Sequence, residues 1–186
     1  YFKYSPATNS LQAWPGINAN LLFGKKQPLI EDRNANLWFP GLDGAITLLN
    51  TATEKPDSFT INKDGSKIVC TALFEDKQGV FWIGTEKGFA RVVLNNSNIA
   101  SSQVKWFYNN SNNRNSLNYN HVSCFLDDPF APGKYLWIST KGGGLNRLDK
   151  ATGDFFHLTT KDGLPDDVVY GILPDEAGNI WGSTNK

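Results

Sequence analysis

The chain has 186 residues, with 18 basic residues against 18 acidic and neither sign gathered into a run. That length buries a core without a metal or disulfide staple, and the balanced charge removes any electrostatic drive toward nucleic acid or an anionic membrane surface. No apolar run of about 18 residues is present and no basic start leads into an apolar stretch, so neither a membrane span nor a signal peptide is read here. The 24 aromatic residues (6 Trp, 6 Tyr, 12 Phe) beside 17 Gly and 9 Pro predict many short strands joined by tight turns, and few helices. With no Met in it, the chain is expected to be a processed or excised piece of a longer parent.

In chain order, Tyr4 to Trp14 reads as a pair of outer strands. Glu31-Asp32 then opens a turn before Leu37-Trp38-Phe39. Next come Ile68 to Phe74, the turn Glu75-Asp76, the strand Phe81-Trp82-Ile83, the turn Gly84-Thr85 to Gly88, and the strands Ala90 to Leu94 and Trp106-Phe107. The pattern is plainest in the following copy. Val122 to Leu126 is a strand, Asp127-Asp128 opens a turn, and Leu136-Trp137-Ile138 is the second strand. Gly142-Gly143-Gly144 turns the chain, Leu145 to Leu148 is the third strand, and Phe155 to Leu158 the fourth. Val168 to Thr184 repeats the first two strands around Asp175-Glu176 and Trp181.

Tryptophan marks the period. Trp38 to Trp82 and Trp137 to Trp181 are each 44 positions apart, while Trp82 to Trp137 is 55, an excess of eleven. About eight of these are placed in the polar stretch Asn95 to Gln103 and three in the turn Pro129 to Tyr135, where surface loops tolerate insertion. A period in the low forties suits a four-stranded propeller blade. The strands Leu37-Trp38-Phe39 and Phe81-Trp82-Ile83 are apolar without alternation, as expected when both faces are covered. No link is long enough for a crossover helix, so the strands pair as antiparallel meanders. The fold class is therefore all-β: four-stranded antiparallel β-propeller blades, in a partial propeller or a small ring of about four blades. The expected divisions are 1–24 (outer strands of a split blade), 25–65, 66–117 and 118–164 (whole blades) and 165–186 (inner strands of a split or truncated blade).

Asp76-x-x-Gly79-x-x-Trp82-Ile83-Gly84-Thr85, Gly143 to Asp149 (GGLNRLD) and Lys161-Asp162-Gly163-Leu164-Pro165 resemble the two-component regulator propeller repeat. The copy around Trp38 departs from it, with Ala35 at the turn glycine and Phe39-Pro40-Gly41 after the Trp. The resemblance implies the periplasmic sensor half of a hybrid two-component system, which is a homodimer with a membrane helix, histidine kinase and regulator parts elsewhere in the parent. It also implies oligosaccharide ligands. No cofactor and no metal are expected, and no nucleic acid or membrane contact by this region.

The functional residues are weighed against their structural roles. Trp38, Trp82, Trp137 and Trp181 could stack sugars, but their fixed place in the period assigns them to packing between blades. The pairs Glu31-Asp32, Glu75-Asp76, Asp127-Asp128 and Asp175-Glu176 could hold calcium or hydrolyse glycosides, but their recurrence assigns Asp32, Asp76, Asp128 and Asp175 to turns. His121 and His157 stand outside any recognisable nucleophile arrangement, and Asn109 to Asn120 reads as a loop between blades. Cys70 and Cys124 lie in apolar stretches and are read as packed thiols rather than a disulfide. Ligands would meet the loops that join blades and those that follow the Trp strand. These contain Glu86, Lys87, Tyr119, Asn120, His121, Lys141, Lys161, Asp162, Asp166 and Asp167. The expectation is binding without turnover; the rival readings are a propeller enzyme, lyase or quinoprotein-like, and a protein-interaction scaffold.

Overall fold

A computed structural model describes residues 2–13, 28–40, 45–61, 68–95 and 98–186. Trp14 and parts of the copy around Trp38 (Gly41 among them) lie outside these residues. The described chain is all β apart from a single 3-10 turn at Thr160–Asp162. β1 (Phe2–Ser5) pairs with β2 (Ser10–Ala13). Three four-stranded meanders follow: β3 to β6 (Ile30–Glu31, Leu37–Pro40, Ala45–Asn50, Lys55–Thr60), β7 to β10 (Cys70–Glu75, Phe81–Thr85, Gly88–Asn95, Asn98–Phe107) and β11 to β14 (Val122–Asp127, Tyr135–Thr140, Leu145–Asp149, Phe155–Leu158). β15 (Val169–Pro174) and β16 (Ile180–Thr184) form a last pair. Every pairing between these strands is antiparallel. These are propeller blades, as the period requires.

The blades are held face to face by apolar clusters, which is why the Trp strands show no alternation. Trp38 stacks on Phe81 of the next sheet with ring centroids 4.1 Å apart, inside a cluster that includes Ile46, Ile61, Ile83 and Val92. Trp82 packs with Phe125, Leu136 and Ile138, and Trp137 with Val169, Ile172 and Ile180. In each case the indole shares its cluster with the residue that precedes the next Trp: Phe81, Leu136, Ile180. Trp181 departs from this scheme. It is 67% exposed beside its cross-strand neighbour Leu173 at 69%, because no further sheet covers that face among the described residues. Among the described residues β1–β2 and β15–β16 are each a two-stranded sheet.

Two details differ from expectation. The excess after Asn95 does not sit in a loop alone: β10 runs from Asn98, and its pairing with β9 slips between Asn98 and Gln103, so several extra residues are taken up as an irregularity within the strand. The acidic pairs are not equivalent turn residues. Glu31, Glu75 and Asp127 end strands, and in these three pairs only the second acid enters the turn. Glu75 reaches the preceding blade, accepting from the Arg33 backbone N–H at 2.8 Å and from Arg33 Nε at 2.5 Å. Asp127 does the same for the Lys77 N–H at 3.1 Å. In the next copy the turn residue is Pro129, which has no N–H to satisfy, and the matching strand end is Pro174 rather than an acid.

Candidate functional site

Antiparallel four-stranded blades send their loops to two opposite faces. The turn between first and second strands shares a face with the turn between third and fourth; the second-to-third turn shares the other face with the connection to the next blade. All ten binding candidates therefore lie on that second, connecting face, and backbone hydrogen bonds stitch them together. Gly88 N–H donates to Asn120 O (2.8 Å), Lys141 N–H to His121 O (2.9 Å), and the N–H groups of Gly142 and Gly144 both donate to Asp167 O (3.0 and 2.8 Å). A further bridge pairs Lys141 with Val168. The second-to-third turns are built alike. Thr85 Oγ1 donates to Gly88 O (2.8 Å) and accepts from Lys87 N–H (2.9 Å), while Thr140 Oγ1 donates to Gly144 O (3.0 Å) and accepts from Gly143 N–H (3.1 Å). Thr184 makes the corresponding bonds with Lys186. This threonine, three residues after each of Trp82, Trp137 and Trp181, was a legible repeat whose role sequence reasoning missed.

Three acids on this face bond their own loops. Asp162 Oδ2 accepts from Thr159 N–H (3.0 Å) and Oγ1 (2.9 Å), closing a capping box on the 3-10 turn. Asp167 accepts from Thr160 N–H (2.7 Å) and Asp166 from Val168 N–H (2.8 Å). Lys87, Lys141 and Lys161 are exposed, and among the described residues they make no ion pair. His121 is half-buried. Tyr119 and Tyr170 stand 46% and 47% exposed.

The Asn-rich segment is braced by its own side chains. Asn109 Nδ2 donates to Leu117 O (2.8 Å), Asn113 Oδ1 accepts from Asn115 N–H (2.9 Å), and Asn110 Oδ1 from Asn112 N–H (3.0 Å). It is pinned to the following blade where Asn115 bonds Asp154 and Phe155, Asn118 bonds Gly143 O and Asn146, and His157 Nε2 lies 2.8 Å from Ser116 O. Most of these amides are spent on the loop itself. Open clefts of about 620 and 350 Å³ flank it, the first against Trp106, Tyr108 and Phe155, the second against Arg114, His157 and Asp162.

On the opposite face each turn Asp is tied to the Trp of its own blade. Asp32, Asp76, Asp128 and Asp175 accept from Nε1 of Trp38, Trp82, Trp137 and Trp181 at 2.8, 2.9, 2.9 and 2.9 Å. The other oxygen takes turn N–H groups, those of Gln78 and Val80 for Asp76. One carboxylate thus fixes both turn shape and indole orientation. Asp76 is joined by Lys150, whose Nζ lies 2.8 Å from Asp76 and 2.5 Å from Asp127. Burial pushes the Asp76 carboxyl up, but the bonds from Lys150, Trp82 and Val80 outweigh it and hold the group below its ordinary value of 3.8. Among the described residues no cluster of His, Cys, Asp or Glu has the arrangement of a metal site.

The two-component regulator propeller family model matches residues 64–87 and 163–186, stretches that hold the Asp76–Trp82 and Asp175–Trp181 latches. No curated protein sequence matches the chain. Among solved structures, it is similar to an extracellular domain assigned to a hybrid two-component system of B. thetaiotaomicron, with 22% identity and TM-score 0.67 over 83% of this chain and 21% of that one. It is also similar to PorZ, a surface component of the type-IX secretion system of Porphyromonas gingivalis, with 16% identity and TM-score 0.73 over 99% of this chain and 28% of that one. Virginiamycin B lyase from Staphylococcus aureus matches with 14% identity and TM-score 0.65 over 94% of this chain and 53% of that one. At such identities the likeness is one of fold, and the chain spans about a fifth of the first of these structures.

Proposed function

We infer that this two-component regulator propeller is the ligand-sensing, periplasmic part of a hybrid sensor histidine kinase and response regulator, and that it recognises oligosaccharides without acting on them. The observation that carries the reading is the joining of regulator-propeller repeats to a connecting face whose loops are cross-linked by backbone hydrogen bonds and whose exposed side chains include Tyr119, Tyr170, Lys87, Lys141 and Lys161. Aromatic faces and N–H donors on a rigid support suit saccharide recognition. Chemistry on the ligand would need convergent acid, base or nucleophile. On this face Asp162, Asp166 and Asp167 accept N–H groups of their own loops, and Asp76 on the opposite face accepts indole and turn N–H groups. Its absence of any helix long and apolar enough to cross a membrane among the described residues accords with a region lying wholly on one side of the parent's membrane anchor. Signalling would follow from a shift in how two propellers or two protomers sit, in proportion to the ligand's preference for one arrangement.

The test is calorimetric titration of an oligosaccharide panel, followed by chromatography of the recovered sugar. Binding of one sugar class with the sugar returned intact supports sensing. A shortened or unsaturated product places the protein among propeller enzymes, and indifference to all sugars leaves the protein-scaffold reading.

A further inference from the structure

The candidates on the connecting face do not contribute equally. The exposed Tyr119 ring is seated on backbone: a Cβ placed on Gly142 would lie 3.2 Å from its Cε1 and Cζ and 3.4 Å from its Cε2, so the ring lies over that glycine. A Cβ on Gly143 would come within 2.6 Å of Tyr119 Cβ and 3.0 Å of the Asn118 carbonyl carbon. Two of the three consecutive glycines are thus a seat for this ring. One ring face is covered by the glycine seat, and with 46% of the residue exposed the other is open to solvent. Such a braced ring loses little entropy when a ligand stacks on it.

Lys141, next to the seat, directs its ammonium toward Tyr170, 6.0 Å from that ring's centroid. Tyr170 is itself fixed by its hydroxyl, which donates to Asn185 at 2.7 Å. The nearby carboxylates of Asp162, Asp166 and Asp167 are taken up by capping bonds, and Lys141 makes no ion pair among the described residues. An ammonium beside an exposed tyrosine ring has three donors to offer an incoming anion. We propose that Tyr119 and Lys141 form a subsite for an acidic pyranose, stacked on Tyr119 with its carboxylate or sulfate at Lys141. This specifies the ligand class of the glycan-sensing reading and rests on it.

The test titrates the protein with tetrasaccharides of galacturonate and of chondroitin sulfate, and with the carboxyl-reduced, neutral galacturonate tetramer. The expected result is binding of an acidic probe, with the neutral one at least roughly tenfold weaker. Tyr119→Ala weakens every probe that binds by about tenfold, the scale of one lost aromatic contact. Lys141→Gln, which keeps the backbone bonds of the turn and gives up only an exposed contact with Tyr170, brings the acidic probe down to the neutral level, and melting temperatures scarcely move. Acidic and neutral probes binding equally would overturn the proposal. So would an acidic probe whose affinity survives both substitutions, although glycan sensing would then stand. If no tetrasaccharide binds, the subsite and the glycan reading fall together.

Discussion

Replacing Asp76 by Ala removes the one acceptor shared by Trp82 Nε1, the Gln78 and Val80 N–H groups and Lys150 Nζ. Lys150 keeps Asp127 and the half-exposed Gln78 turn can recruit water, so the loss falls on Trp82 Nε1 and Val80 N–H. Trp82 is 1% exposed and Val80 9%. Each buried donor left unsatisfied costs about 1–3 kcal/mol, giving about 2–6 kcal/mol together. For a chain of this length that corresponds to a fall in melting temperature of roughly 4–24 °C. Asp175→Ala deletes the same motif where the indole is 67% exposed. Water replaces the carboxylate there, and the melting temperature should scarcely move. Calorimetry of both variants reads the difference directly. Equal losses would refute the argument that the carboxylate–indole latch stabilises through burial between blades.

Because the Asp76 carboxyl is held below 3.8 in the fold, its stabilisation is fully present above that value and is lost as pH falls through the lower, folded one. Wild-type melting temperature should therefore drop more steeply than that of Asp76→Asn in acid titrations. Gly144→Ala should cost more than Gly153→Ala: both have positive φ (+69° and +84°), but the new Cβ would meet Leu158 O at 2.2 Å in the first and open space in the second. Backbone strain of this kind costs about 1–3 kcal/mol, and denaturant midpoints should rank the two. Ala35 sits at φ 61° where the other turns use Gly79 and Gly178, so Ala35→Gly should raise the midpoint despite its entropic cost. Cys70 is 3% exposed with its thiol pushed up to about 12 by burial. Iodoacetamide should leave it unmodified until the protein unfolds, as mass spectrometry of peptides would show.

The blade architecture was legible in one sequence because it is written in local signals that recur: an apolar run with Trp, an acid before it, glycine after it. Those signals are periodic since every blade meets the same two neighbours. Asp32, Asp76, Asp128 and Asp175 could be assigned to turns for the same reason. Their bond to the indole could not be read, because spacings of six and nine residues to Trp become one geometry only when the hairpin closes. Nor could the sequence separate Glu75 and Asp127 from the acids that follow them. Strand alternation turns the first of each pair toward the preceding blade, and its role depends on which N–H that blade presents. The strand irregularity after Asn98 likewise reflects pairing between β9 and β10 rather than local composition. On the connecting face, sequence supplied the loops and therefore the candidates. Only the tertiary structure decided that Asp162, Asp166 and Asp167 bond their own loops, that three glycines lie together because Tyr119 and Leu158 press on them, and that Lys141 reaches toward the Tyr170 ring. The last two relations join residues far apart in the chain, and no local pattern encodes such contacts.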